Sequence, residues 1–318
     1  MKTYLAILSA LLCFWAPSLI AQQTAFTVRE SDLIAEGITY DPTAGDFYIS
    51  SIHKNKIIRV RKGVASDFIT SGEHGFMGGV GLHVDAERRI LWACSGNIMG
   101  KRMQAGLFAF SLATGALLKK VVYPLDTVRR FFNDLAILPD GSIWVTDTYG
   151  HGIWKWNLTM DLPEKLPIKG RISYPNGIVL APDQKTAILA ADEGLVRVDL
   201  ASMTVSYLNA PTGNVPTRDI DGLGFIQNTL VAIQNSFDAP EKNRLVRYDL
   251  DPDLRTILSA TVIDEANTLF DLPTTLVTQA SDVYVIANSQ LGNLDQRDNK
   301  IVDPAKLRPL VVLRYRVK

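Results

Sequence analysis

Cysteine is almost missing from this sequence, which has two in 318 residues, Cys13 and Cys94. Cys13 lies in an apolar N-terminal run that we expect to be removed, so Cys94 would remain alone and no intramolecular disulfide could form. Cys94 lies in the apolar stretch ILWAC, which predicts a core residue rather than a nucleophile. A disulfide framework is therefore excluded, and a hydrophobic core must stabilise the fold, with or without a metal.

Runs of like charge are also missing. The 33 Lys and Arg residues balance the 33 Asp and Glu residues, and the formal net charge is zero. The absence of a basic stripe argues against nucleic acid as the partner. After the N-terminal run no segment is long and apolar enough to span a bilayer, so we expect no membrane contact once that run is removed. We expect a monomer whose partner is a small-molecule substrate.

The N-terminal run has the organisation of a secretory signal peptide. It carries one lysine, then an apolar run from Tyr4, then Pro17 and a small-residue exit at Ala21. The run is short for a membrane anchor, which is the alternative, and it ends in a cleavable pattern. The sequence therefore predicts a signal peptide over residues 1–21, a folded domain over residues 22–318, and a secreted or periplasmic protein.

The rest of the chain is a series of repeats. Helical periodicity is nearly absent, and short β-rich runs are separated by Gly, Pro, Asp and Asn. Aligning the chain on the stretch YPNGIVLAPD gives six repeat units spaced 43 to 53 residues apart. The equivalent first positions are Glu36, Val80, Asn133, Asn176, Asp221 and Thr274. Repeats of this length, built of antiparallel strands, are typical of a β-propeller.

We therefore predict an all-β protein, a six-bladed β-propeller with four-stranded antiparallel blades. A two-sheet sandwich is the alternative, but it does not explain the near-constant period. The segment TAFTVRE, after the signal peptide, is predicted to add a strand to the last blade. Two polar insertions, residues 98–106 and 289–308, are expected to lie on one face and to shape the rim of a pocket.

The six equivalent positions should form a ring at one mouth of the central channel, because the first strand of each blade lines that channel. Four of them carry oxygen donors: Glu36, Asn133, Asn176 and Asp221. Carboxylate and amide oxygens favour Ca²⁺, although another divalent cation is possible, and the absence of His and Cys from the six ring positions argues against zinc. Each residue alone could be a turn residue. Four at one register, with two carboxylates in a narrow channel, favour a metal site.

The second strand of each blade should end beside the same mouth, because it runs antiparallel to the first. Polar residues at these ends are candidates for substrate contact or for support of the metal ligands. They are His53, Asn97, Asp147, Asp192, Asn235 and Asn288. Each could equally be a turn residue. His83 lies within a predicted inner strand and is expected to be packed.

Four segments, EGITYD, FNDLAILPDGSIWVTDT, YPNGIVLAPD and DGLGF, resemble the senescence marker protein 30/gluconolactonase family of six-bladed calcium propellers. Related folds include diisopropylfluorophosphatase, the paraoxonases and strictosidine synthase. The resemblance covers essentially all of the mature chain. It implies that a divalent cation is held by Glu36, Asn133, Asn176 and Asp221. The gluconolactonase branch has an arginine at the position of Phe131, and this departure favours a more apolar substrate than a sugar-acid lactone.

The resemblance implies a calcium-dependent lactonase or esterase, in which Asp221 is a metal ligand and also the catalytic base or nucleophile. A metal-bound carboxylate has a lowered pKa and is a poor base, so Asp147 or Asp192 is an alternative for that role. A phosphotriesterase of the diisopropylfluorophosphatase type is a second reading of the chain. A non-catalytic ligand-binding propeller with a structural calcium is a third.

Overall fold

The computed structural model describes residues 22–99, 102–210 and 217–317. The predicted signal peptide lies outside these residues. Within them, the secondary structure consists of β-strands and short 3-10 turns. The strands form six four-stranded antiparallel sheets and one two-stranded hairpin. The prediction of an all-β, six-bladed propeller with four-stranded blades is confirmed.

In the first five blades the strands follow chain order from the channel outward. Blade 1 contains β2 (Ala35–Asp41), β3 (Asp46–Ser51), β4 (Lys56–Arg61) and β5 (Val64–Ile69). Blade 2 contains β6 (Gly78–Asp85), β7 (Ile90–Met99), β8 (Arg102–Ser111) and β9 (Leu117–Val122). Blade 3 contains β10 (Phe132–Ile137), β11 (Ile143–Asp147), β12 (Gly152–Trp156) and β13 (Glu164–Lys165).

The remaining blades repeat this plan until the last one. Blade 4 contains β14 (Ile178–Leu180), β15 (Thr186–Ala191), β16 (Gly194–Asp199) and β17 (Val205–Tyr207). Blade 5 contains β18 (Ile220–Ile226), β19 (Thr229–Gln234), β20 (Arg244–Leu250) and β21 (Ile257–Glu265). Blade 6 contains, from the channel outward, β22 (Leu276–Gln279), β23 (Asp282–Ile286), β26 (Leu310–Arg316) and β1 (Gln22–Val28). The separate hairpin is β24 (Leu294–Asp295) and β25 (Lys300–Ile301). Short 3-10 turns cover Glu73–Gly75, Pro240–Lys242, Leu291–Asn293 and Pro304–Lys306.

In blades 1 and 3 the turn between the first and second strands is set by an aspartate and a glycine with left-handed backbone. In blade 1 the Asp41 carboxylate accepts a hydrogen bond from the Thr43 amide, and Gly45 has a φ of 73°. In blade 3 the Asp140 carboxylate accepts from the Ser142 amide, and Gly141 has a φ of 80°. Aspartate side chains close such turns, and glycine adopts this φ without strain.

The hydrophobic core lies between neighbouring blades. Each apolar cluster joins two adjacent sheets. Between blades 2 and 3, for example, the rings of Trp92 and Trp156 meet edge to face with centroids 5.6 Å apart. Cys94 is fully buried in the same cluster, as predicted, and burial raises the pKa of its thiol. An unreactive core thiol is the result.

The ring is closed by the first strand of the described chain. β1 pairs antiparallel with β26, from Gln22 opposite Tyr315 to Val28 opposite Leu310. Val28 is 3% exposed and packs in the cluster that joins blades 6 and 1. The closure predicted for TAFTVRE is confirmed. No helix among the described segments has the length and apolar character needed to cross a membrane.

Candidate metal centre at the channel mouth

A β-bulge lies at the predicted ring position in four of the blades. The pairing of the first and second strands shifts register between Ala35 and Ile38, and the same shift recurs in blades 2, 3 and 5. Each bulge contains one ring residue and the residue after it. β-Bulges redirect side chains and are common beside functional sites. Here they bring Glu36, Asn133 and Asp221 out of the sheet register at one mouth.

The residue after the ring position is glycine in four blades, and the reason is close packing of adjacent inner strands. A Cβ on Gly37 would lie 2.4 Å from the carbonyl oxygen of Val80. A Cβ on Gly177 would lie 2.3 Å from the carbonyl oxygen of Asp221. Side chains cannot be accommodated at such distances, so these glycines let each ring residue lie against the next blade.

Hydroxyl groups tie the ring together between blades. Ser50 Oγ accepts a hydrogen bond from the Gly37 amide and donates one to the Val80 carbonyl. Thr274 Oγ1 and Thr275 Oγ1 both donate to the Glu36 carbonyl, at 2.9 Å and 2.7 Å. These bonds span from blade 1 to blade 2 and from blade 6 back to blade 1. The inner strand of blade 1 is therefore fixed against those of blades 2 and 6.

Glu36 is a buried carboxylic acid without a partner at one oxygen. It is 7% exposed, and its Oε2 has no hydrogen-bond partner within the part of the chain that the structure describes. Burial raises the pKa of Glu36 well above its usual range, and the negative charges of Asp221 and Asp134 raise it further. An ionised carboxylate in this position needs a cation.

Asp221 faces the same mouth and is held by two amides. Its Oδ2 accepts a 2.6 Å hydrogen bond from Asn235 Nδ2, and the side chain of Asn176 also hydrogen-bonds its carboxyl group. Burial raises the pKa of Asp221 to about 7, although both amides act in the opposite direction. Asn235 Nδ2 also donates to the Pro273 carbonyl. Asn235 therefore lies beside the ring and holds the Asp221 carboxylate.

Asn133 is oriented by a hydroxyl. Its Nδ2 donates to Thr148 Oγ1 at 3.0 Å, and Thr148 Oγ1 donates to the Pro175 carbonyl at 2.8 Å. Because Thr148 holds the side-chain nitrogen of Asn133, the side-chain carbonyl oxygen is available to bind a ligand.

The predicted set fits a hard divalent cation. It offers two carboxylates and two amide side chains at one mouth, and one carboxylate oxygen has no partner. The residues that the structure describes contain no group of three or more His, Cys, Asp or Glu side chains that could hold a metal. Any cation here would therefore depend on amide oxygens, which Ca²⁺ accepts more readily than zinc.

Two of the other predicted residues are engaged in holding the backbone. The Asp147 carboxylate accepts hydrogen bonds from the Phe131 amide, the Gly150 amide and the Trp154 indole N–H. Asn288 donates to the Pro309 carbonyl and accepts from the Val311 amide. Both side chains fix strand ends in their own blades.

The other three lie on the rim. His53 contacts Asn299 of the last-blade insertion, with 3.3 Å between His53 Nδ1 and Asn299 Oδ1. Asn97 lines a cavity of ≈ 420 Å³ that also contains Val80 of the ring and Phe131. Asp192 is exposed and lines a second, open cavity with His151 and Tyr174.

The insertion in the last blade forms part of the first cavity, which we call the mouth pocket. Residues 296–300, at the tip of the β24–β25 hairpin, line one side of it. The prediction that this insertion shapes a pocket rim is confirmed. The other insertion, 98–106, includes residues 100 and 101, which lie outside the described residues, and Asn97 just before it lines the pocket.

Sequence reasoning missed Asp134, which enters the channel where four of the other blades have glycine. Its Oδ2 accepts a hydrogen bond from the Ile178 amide, and its Oδ1 lies 3.2 Å from His83 Nε2. His83 therefore lines the channel instead of packing in the core. The available signal was the repeat alignment itself, in which Asp134 is aligned with Gly37, Gly81 and Gly177.

The fold and the mouth define a six-bladed β-propeller whose channel opens through a ring of carboxylate and amide side chains. The sequence model of the SMP-30/gluconolactonase/LRE-like region matches residues 34–192, half of the chain. The chain belongs to the SMP-30/gluconolactonase/LRE-like family. A search of curated proteins by sequence found no match.

Solved structures share the fold at low identity. A gluconolactonase from Xanthomonas campestris is 12% identical, with a TM-score of 0.60, over 92% of this chain and 89% of its own. The calcium-binding protein regucalcin from Agrobacterium tumefaciens is 17% identical, with a TM-score of 0.56, over 93% and 96%. A PQQ-bound aldose sugar dehydrogenase from Streptomyces coelicolor reaches 0.62 at 13% identity, over 94% and 99%. A hydrolase and an oxidoreductase are thus equally similar, so these likenesses establish the fold alone.

Proposed function

We propose that this protein is a metal-dependent lactonase or esterase whose cation, preferably Ca²⁺, is held by Glu36, Asn133, Asn176 and Asp221. The observation that carries the proposal is the unpartnered Oε2 of Glu36, buried beside Asp221. Membership of the SMP-30/gluconolactonase/LRE-like family supports the reaction class. The calcium-binding regucalcin and the gluconolactonase among the similar structures are consistent with both the cation and the lactone.

A bound divalent cation would polarise the substrate carbonyl and stabilise the negative charge that develops on its oxygen. The residues of this chain position the ligands for that role. Asn235 holds the Asp221 carboxylate through its 2.6 Å hydrogen bond, and Thr148 fixes the orientation of the Asn133 amide. A ring that needs no rearrangement on binding is preorganised for the reaction.

Asp221 is the catalytic residue that we propose, as base or nucleophile toward the carbonyl carbon. Its Oδ2 accepts a hydrogen bond from Asn235, and the side chain of the ring residue Asn176 also hydrogen-bonds its carboxyl group. Asp147 already accepts three hydrogen bonds, so its geometry favours a role in holding Phe131 and the turn that follows β11. Asp192 is exposed and remains the second candidate for the base.

The test is a screen of purified protein against lactones, aryl esters and phosphotriesters, each with and without a chelator. We expect lactone or ester turnover that the chelator abolishes and Ca²⁺ restores. Turnover of phosphotriesters alone would instead indicate the diisopropylfluorophosphatase type. Absence of turnover, with a melting temperature that still depends on calcium, would indicate a binding propeller with a structural metal.

Asp221→Asn separates these roles. We expect it to abolish turnover and to weaken metal binding by more than about 100-fold, because loss of a residue that merely supports a ligand already costs 10- to 100-fold. The matched control is Asp253→Asn, at an exposed position in blade 5. Calcium affinity is measured by titration calorimetry. Full turnover in Asp221→Asn would contradict the assignment.

We also propose that the protein is exported, with residues 1–21 removed, and acts as a monomer on a small molecule. The N-terminal charge and apolar pattern supports export. N-terminal sequencing of the exported protein should begin at Gln22, and its mass in solution should be that of one chain.

A further inference from the structure

The mouth pocket opens at the apolar position of the ring. Val80 occupies the ring position of blade 2, between Glu36 and Asn133. In the channel, Gly37 of blade 1 packs against the Val80 carbonyl of blade 2. Gly81 of blade 2 packs in the same way against the Asn133 carbonyl of blade 3. Val80 also lines the pocket. A group that reacts at the ring can therefore extend over Val80 into the pocket.

One wall of the pocket carries three apolar side chains and two glycines, which are Ile52, Val80, Phe131, Gly78 and Gly96. The amide side chains of Asn55 and Asn97 also line the pocket. Atoms of the Phe131 ring lie 3.6 Å and 3.7 Å from where a Cβ on Gly96 would be. A Cβ on Gly78 would lie 2.7 Å from the Gly96 carbonyl oxygen. Because these two positions carry no side chain, the backbone segments pack closely at this wall. The pocket volume of ≈ 420 Å³ is within the range of small-molecule sites.

The outer rim carries charges that already have partners within the hairpin. Arg297 Nε lies 3.3 Å from Asp295 Oδ1, and Lys300 Nζ lies 3.7 Å from Asp298 Oδ2. Asn299 joins this rim to blade 1, because its Nδ2 donates to the His53 carbonyl. The two basic groups are balanced by two carboxylates, so the rim has no net positive charge to attract an anionic substituent.

We propose that the mouth pocket binds an uncharged, apolar substituent of the substrate, an alkyl chain attached to the lactone ring or ester. The proposal rests on the proposed function for the position of the reacting carbonyl. The pocket would thus determine the substrate class: lactones with an aliphatic side chain in preference to polyhydroxylated or carboxylated ones.

A homologous series tests the pocket directly. The probes are γ-butyrolactone, γ-valerolactone, γ-hexalactone and γ-octalactone, with glucono-lactone as the hydroxylated comparison and a carboxyl-substituted γ-lactone as the anionic one. We expect kcat/KM to rise about fourfold for each added methylene, the factor that corresponds to ~0.8 kcal/mol per buried methylene. A value independent of chain length, or a preference for glucono-lactone or the anionic lactone, would overturn the proposal.

Variants locate the effect in the pocket. Phe131→Ala removes one wall, and Ile52→Ala removes another without touching the ring, so each should lower the gain per methylene to twofold or less. The matched control is Phe237→Ala, because Phe237 is 60% exposed and does not line the pocket. It should keep the wild-type dependence on chain length. An unchanged dependence in both wall variants would overturn the proposal even if one of them folds poorly.

Binding of a non-hydrolysable series distinguishes this proposal from the proposed function. The probes are the γ-lactams with the same alkyl groups, measured by titration calorimetry on the full calcium-loaded protein. Lactam affinity that rises with chain length, in a protein that hydrolyses no lactone, would support the pocket and contradict the hydrolase. Lactone turnover with lactam affinity independent of chain length would support the hydrolase and contradict the pocket.

Discussion

Two buried carboxylic acids lie at the mouth of the channel. Glu36 and Asp221 are 7% and 8% exposed, and burial raises the pKa of both. Neither pKa shift stabilises the fold, since an acid that resists ionisation at neutral pH destabilises the metal-free protein. This destabilisation is offset only if a cation restores the charged forms of the two acids when it binds.

The first prediction concerns pH. In the unfolded chain Asp221 loses its proton near its ordinary pKa of 3.8, whereas the metal-free folded protein retains it up to about 7. The unfolded state therefore binds fewer protons between these values, and the free energy of unfolding falls as pH rises from about 4 to about 7, by roughly 4 kcal/mol from this group. Urea unfolding of the wild type and of Asp221→Asn, both measured with a chelator present, isolates the contribution of Asp221. A wild-type curve parallel to that of the variant would contradict the raised pKa.

Thr148 should control the metal through Asn133. Thr148→Val removes the acceptor of the Asn133 Nδ2 hydrogen bond, so the amide can rotate and present the wrong atom. We expect calcium affinity to fall 10- to 100-fold. Thr148→Ser should restore it, and Thr24→Val, on the exposed face of β1, should leave it unchanged. If Thr148→Val binds calcium like the wild type, the hydroxyl does not orient the ligand.

At the scale of the strand, a glycine follows the ring residue in blades 1, 2, 4 and 5, and in blades 1, 2 and 5 this glycine lies within the β-bulge. Gly177→Ala would place a methyl group 2.3 Å from the Asp221 carbonyl oxygen and push blades 4 and 5 apart. We expect a loss of about 3 kcal/mol in the free energy of unfolding, together with weaker calcium binding. Gly292→Ala is the control, because its nearest contact would be 3.5 Å from Leu272. Equal stability of the two variants in urea would contradict the close-packing argument.

The repeat register was visible in the sequence because each blade begins with the same short pattern, which predicted the ring and the blade count. The fourth strands were harder to see, since β13 has two residues and β17 three.

Asp147 shows a second limit. Its position at a strand end predicted a place near the mouth, but its side chain turns toward the Phe131 and Gly150 amides. The direction of the Asp147 side chain depends on contacts within the blade. The mouth pocket likewise depends on how loops that are distant in the sequence come together.

At the scale of the whole molecule, stability depends on the pairing of β1 with β26. Val28 is buried where this sheet meets blade 1, and its neighbour Thr27 is exposed on the other face. Val28→Asp should lower the free energy of unfolding by more than about 3 kcal/mol, because a charge would be buried without a partner. Thr27→Asp should change it by less than about 0.5 kcal/mol. Thermal unfolding of both variants gives the comparison, and similar melting temperatures would mean that β1 contributes little.

The pairing of Gln22 with Tyr315 leaves the two ends of the propeller side by side. From Gln22 to Val317 the chain is therefore a circle that lacks one covalent link, and no blade is the first one in a structural sense. A short linker between Val317 and Gln22, with a new break at the exposed turn of Lys62 and Gly63, would move the seam from blade 6 to blade 1. The six sheets and the ring at the mouth would keep their contacts, and only the order in which ribosomes make the blades would change.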